Sequence, residues 1–80
     1  MDSEPLDDAS TPTPAQSLAL SKRQVEVLRL VATGLTNKEV AAQLRLSVHT
    51  VEAHLHYIYK KLGVTTRGGA IRFAIDHNLV

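Results

Sequence analysis

The sequence has no cysteine and no tryptophan, and its aromatic residues are only Tyr57, Tyr59 and Phe73. Without cysteine, the chain can form neither a disulfide nor a thiolate metal site. With so few aromatics, leucine, valine, isoleucine and alanine must fill the core. No apolar run approaches the ~20 residues that a membrane-crossing helix needs, so no membrane partner is expected. The first residues, Met1-Asp2-Ser3-Glu4-Pro5, are acidic and lack the apolar stretch of a secretory signal. A cytoplasmic protein is therefore expected. There is no glycine-rich phosphate loop and no paired-carboxylate motif, and 80 residues are too few to build a sheltered pocket. Neither an enzyme nor a cofactor is expected.

The formal net charge of +1 is unevenly divided. Residues 1–20 carry Asp2, Glu4, Asp7 and Asp8 and no basic residue, for −4. Residues 21–80 carry all nine basic residues against Glu26, Glu39, Glu52 and Asp76, for +5. A basic domain behind an acidic segment suits a polyanionic partner. Every proline (Pro5, Pro12 and Pro14) lies within residues 1–19, among Ser, Thr, Asp and Ala. Such a segment buries too little apolar surface to offset its ordering entropy. It reads as a disordered acidic Pro/Thr-rich tail or linker, leaving 20–80 as the folded domain.

From Leu20 onward the pattern is helical throughout. Ser21 can cap a first helix, with Gln24 as the return partner of a capping box. Its apolar set is Val25, Val27, Leu28, Val31 and Ala32, and Gly34 ends it. Thr36 caps a short second helix, Asn37 to Leu44, with Glu39 as return partner and Val40, Ala41 and Leu44 on one face. Arg45-Leu46 forms a brief turn. Ser47 then caps a third helix, Val48 to about Leu62, on which Val51, Leu55, Ile58 and Leu62 make a narrow stripe before Gly63 stops it. A fourth helix runs from Thr66 to about His77, with Ala70, Ile71, Ala74 and Ile75 facing in. Asn78 can take a left-handed stop, and Leu79 can fold back on it. The expected class is all-α: a four-helix domain with a central helix-turn-helix.

A short capped helix, a tight turn and a longer helix form the arrangement in which DNA binders place the second helix of the pair in the major groove. An ordinary helical hairpin has the same outline, and the exact residues separate the two. The stretches Leu20-Ser21-Lys22-Arg23-Gln24-Val25-Glu26-Val27-Leu28 and Gly34-Leu35-Thr36-Asn37-Lys38-Glu39-Val40-Ala41 carry a resemblance that continues through Leu44, Ser47, Thr50-Val51, His54, Ile58, Lys61-Leu62, Val64, Arg67, Ala70 and Ala74. Residues 20–80 thereby resemble the C-terminal DNA-binding domain of LuxR/NarL/FixJ-type bacterial transcription regulators. The resemblance implies that the third helix reads double-stranded DNA, that the second supports it, and that the fourth pairs with a second copy.

Set on a ~100° step, the third helix presents His49, Glu52, Ala53, His56 and Lys60 opposite its apolar stripe. His49 joins the groove-facing set by its position on this face. In the family, base-edge contacts come mainly from the positions matched by Glu52, Ala53 and His56. Glu52 stands where the family often has Lys; a carboxylate can accept from cytosine N4 but repels phosphate. Gln24 replaces a usual Glu and Asn78 a usual Gly, and both keep the local role. Phosphate contacts are expected from Thr36, Asn37 and Lys38 at the start of the second helix, from Ser47 and Thr50 at the third, and from Lys60 and Lys61. Ile71, Phe73 and Ile75 flank the fourth helix and form the expected homodimer surface. Two copies would then set their reading helices about one DNA turn apart, roughly 34 Å, on an inverted repeat.

The four histidines do not suggest a metal site. His54 and His56 are two residues apart and His49 and His54 five, so neither pair shares a helix face as zinc ligands would. His54 is better read as packing or facing phosphate, and His77 as answering the helix dipole. The alternative function is a helical module that docks on RNA polymerase or another regulator. A sigma-factor promoter reader has a similar fold, but the Gly34-to-Ala41 run favours the LuxR-type reading.

Overall fold

The computed structural model describes residues 20–79; the expected tail over 1–19 lies outside them, as does Val80. Four helices follow in order: α1 Lys22–Ala32, α2 Asn37–Leu44, α3 Val48–Leu62 and α4 Arg67–Asp76. Among the described residues there is no strand. The all-α, four-helix class is as the sequence implied.

Every helix begins at a hydroxyl. Ser21 Oγ accepts from the Gln24 N–H at 3.1 Å, and Gln24 Oε1 accepts from the Ser21 N–H at 2.9 Å. The same reciprocal box joins Thr36 to Glu39, at 3.2 and 2.8 Å. Ser47 Oγ accepts from the Thr50 N–H at 3.0 Å, and the Thr50 hydroxyl lies 2.9 Å from it. Thr66 caps α4 through the Gly69 N–H at 2.9 Å. Thr66 itself is extended, so α4 starts one residue later than the pattern suggested, and it stops at Asp76 with His77 as its cap. Each such cap satisfies a donor that the helix cannot, worth about 1 kcal/mol.

The helix ends use left-handed backbone. Gly34 has φ 100° and Gly63 φ 70°. Asn78 has φ 57°, and the Leu79 N–H then reaches Ala74 O at 2.8 Å while the Leu79 side chain buries itself. The turn between α2 and α3 also rests on a left-handed residue, Arg45 at φ 57°. Its N–H returns to Ala41 O, as does the Leu46 N–H at 2.9 Å. An arginine in this region costs roughly 1 kcal/mol, so nothing in its type announced the conformation.

The core lies where α1 meets the other three helices and where α3 packs on α2 and α4. Val27, Leu28 and Val31 of α1, Val40 of α2, Val51 and Ile58 of α3, and Ala70 and Ala74 of α4 are fully buried. Leu20, Ala41, Leu55, Leu62 and Leu79 complete it, and no polar side chain is buried among the described residues. Val25 and Ala32 are only half-buried. The inward face expected for α4 needs correction. Its two alanines bring the helix close to its neighbours, which narrows the buried stripe: Ile71 is half-buried and Ile75 points outward, 52% exposed.

Candidate nucleic-acid interface

The α3 helix divides cleanly into two surfaces. Its stripe of Val51, Leu55, Ile58 and Leu62 is buried, while His49, Glu52, Ala53, His56 and Lys60 are all exposed. His49, Ala53, His56 and Lys60 fall within about 60° of one another on the wheel, and Glu52 stands about 40° beyond His56. The four residues expected to face base edges therefore share one exposed surface. Sequence reasoning passed over Tyr57, which projects from the same surface and is 57% exposed. Its wheel position, about 40° from Ala53, was the available signal.

Lys61 is exposed, as Lys60 is, and Thr50 is half-buried. Among the described residues the ion pairs are Arg23–Glu26 at 3.2 Å and Arg72–Asp76 at 3.4 Å, and neither uses Lys38, Lys60 or Lys61. At the start of α2, Thr36 spends its side-chain oxygen on Glu39 and the Glu39 carboxylate holds the Thr36 N–H. The backbone N–H groups of Asn37 and Lys38, in the first turn, have no intrahelical acceptor.

Asn37 has a partner that its spacing did not reveal. Arg67 Nη1 donates to Asn37 Oδ1 at 2.7 Å, and Arg67 Nη2 donates to Leu35 O at 2.7 Å. The planar fork of the guanidinium ties the start of α4 to the start of α2. With its oxygen accepting from Arg67, the Asn37 carboxamide still has both N–H donors to offer, which suits an anion. A second long-range tie joins Arg29 Nε to Leu79 O at 2.9 Å, fixing the C-terminal end of the fold to α1.

On α4, Ile71 and Phe73 are half-buried and Ile75 is exposed. The Phe73 ring stacks on His77, with centroids 3.9 Å apart and planes 8° from parallel. His77, the C-cap of α4, has its Nδ1 3.0 Å from Phe73 O. His54 is half-buried, while His49, His56 and His77 are exposed. Among the described residues, no three His, Asp or Glu side chains are grouped to hold a metal ion. No described helix is long and apolar enough to cross a membrane.

Known proteins match this arrangement. The family described as "Bacterial regulatory proteins, luxR family" matches residues 18–74. The transcriptional regulatory protein MctR of Rhizobium johnstonii is 43% identical over 61 residues, covering 76% of this chain and 28% of MctR. The response regulator Rre1 of Synechocystis is 43% identical over 70 residues, covering 88% of this chain and 30% of its own. The oxygen regulatory protein NreC of Staphylococcus aureus is 42% identical over 74 residues, covering 92% of this chain and 33% of NreC. The chain thus spans about a third of the length of these relatives. Among solved structures, the response regulator ChrA of a heme-sensing two-component system superposes with a TM-score of 0.72 at 39% identity, covering 82% of this chain and 35% of ChrA. The relatives are regulators rather than enzymes, and the chain belongs to the luxR family of bacterial regulatory proteins, whose helix-turn-helix binds DNA.

Proposed function

We propose that the chain binds double-stranded DNA sequence-specifically and regulates transcription in the cytoplasm, with α3 lying in the major groove. The observation that carries this is the division of α3. Over 15 residues one face seals the core, and the other presents polar and charged side chains that make no hydrogen bond or ion pair among the described residues. His49, Glu52, Ala53 and His56 face the base edges. Thr36, Asn37, Lys38, Ser47, Thr50, Lys60 and Lys61 meet the phosphates. Asn37 does so through the N–H groups that Arg67 leaves it. Two copies pair through Ile71, Phe73 and Ile75 of α4 on an inverted repeat; the outward Ile75 supports this reading.

The carboxylate of Glu52 favours cytosine N4 over a phosphate neighbour, so base preference should differ from relatives with lysine there. One α3 makes few contacts, so a single copy binds weakly, and linked half-sites raise the effective concentration of the second copy. The experiment is a mobility shift against a random duplex pool, followed by salt titration on the selected sequence. Log affinity should fall linearly with log salt, by about 0.9 per phosphate contact. Binding that ignores salt, or no sequence enrichment, would refute the reading.

A further inference from the structure

The two flanks of the exposed α3 face differ in chemistry. Thr50, Tyr57 and Lys61 fall within about 40° of one another on the wheel and run down one side. All three carry a hydrogen-bond donor, and none carries negative charge. Glu52 lies about 160° from the middle of that stripe, on the other flank. Tyr57 lies between Thr50 and Lys61 along the donor stripe, one turn before Lys61. At 57% it is more exposed than Val48 or Ile75, the other large hydrophobic side chains that face outward. Tyr59, two residues on, packs against the core; Tyr57 does not. Among the described residues its ring therefore has no packing role.

We propose that Tyr57 contacts the DNA backbone, its phenol hydroxyl donating to a phosphate oxygen on the strand that Thr50 and Lys61 also face. This seats α3 with the Glu52 carboxylate turned away from that strand. The inference rests on the DNA-reading role of α3 and adds to it one residue and one orientation. A helix in the major groove has a phosphate strand on either side, and only one flank of α3 is free of repulsion toward phosphate.

The phenol is neutral, which distinguishes it from its neighbour. Removing a lysine that neutralises a phosphate lowers the salt slope by about 0.9, because one counterion is no longer released. Removing a neutral donor weakens binding and leaves the slope unchanged. Phosphate contacts carry no sequence information directly, so base preference also stays the same.

The test uses the full chain and a duplex selected from a random pool by the unaltered protein, with fluorescence anisotropy read at several salt concentrations. Tyr57→Phe removes only an exposed hydroxyl, so thermal melting should not move. Affinity should fall about tenfold, as for a hydrogen bond to a charged acceptor. The loss should be equal on selected and unrelated duplexes, with the salt slope unchanged. Lys61→Ala in parallel should lower the slope. If Tyr57→Phe binds as tightly as the unaltered chain while Lys61→Ala weakens, the Tyr57 contact is wrong and the DNA-reading role stands. A changed base preference in Tyr57→Phe would put the hydroxyl at the bases and overturn the proposal. If the unaltered chain binds no duplex in a salt-dependent way, the DNA-reading role fails and the Tyr57 contact with it.

Discussion

Gly34 and Gly68 make opposite demands on the backbone, so alanine at each should move stability in opposite directions. A Cβ built at either position meets nothing within 4 Å, which removes packing from the comparison. What remains is conformation. Gly68 lies in the first turn of α4 without a positive φ, where glycine costs roughly 0.5–1 kcal/mol relative to alanine through the entropy of the unfolded chain. Gly34 has φ 100° at the end of α1, where an L side chain brings strain of about 1–2 kcal/mol. In a domain of about 60 residues, 1 kcal/mol shifts the midpoint by roughly 4–8 °C. Gly68→Ala should therefore raise the melting temperature by about 2–8 °C, and Gly34→Ala should lower it by at least about 4 °C. Circular dichroism at the helical band, scanned with temperature on the full chain, reads both. A lower midpoint for Gly68→Ala would refute the reasoning for α4. An unchanged midpoint for Gly34→Ala would show that the turn after α1 does not need its left-handed residue.

Arg67→Ala should destabilise the fold by about 2 kcal/mol, read by urea unfolding, since it removes two hydrogen bonds made by a charged donor; Arg67→Lys should recover only part, because an ammonium lacks the fork. Glu52→Lys should raise affinity for every duplex in a salt-dependent way, measured by anisotropy; a general loss would mean that the carboxylate makes a favourable contact. Phe73→Ala with Ile75→Ala, first checked for intact helicity, should abolish the cooperative gain of an inverted repeat over a single half-site in a mobility shift, and unchanged cooperativity would exclude α4 as the pairing surface.

The features that could be read from sequence are those written over short distances. Ser21 with Gln24 and Thr36 with Glu39 are three residues apart, so the caps and boxes of α1 and α2 are visible in the chain itself. The stripe of Val51, Leu55, Ile58 and Leu62 repeats at helical spacing, and it located the exposed face of α3 by elimination. The Arg67 fork joins residues 30 and 32 positions apart, and no local rule connects them. Arg45 takes the left-handed region because the α2–α3 turn must be tight, a demand of the packed pair rather than of the residue type. On α4, apolar residues at 71, 73, 74 and 75 allowed several inward faces. Only the closeness of Ala70 and Ala74 to the neighbouring helices decides that Ile75 points out. Tyr57 lies about 40° beyond Ala53 on the wheel, outside the set taken as opposite the apolar stripe, and its exposure in the fold marks it.

The central claim is that α3 reads base edges in the major groove, and methylation interference tests it most directly. Dimethyl sulfate marks guanine N7 in the major groove and adenine N3 in the minor groove, so a partly methylated duplex separates the two surfaces. Bound and free fractions of the selected duplex should differ at guanine N7 positions within the half-site. His56→Ala should relax base preference at one such position, by about 1–3 kcal/mol if the contact is a good base pairing. Interference confined to adenine N3, or none at any base, would contradict a major-groove α3.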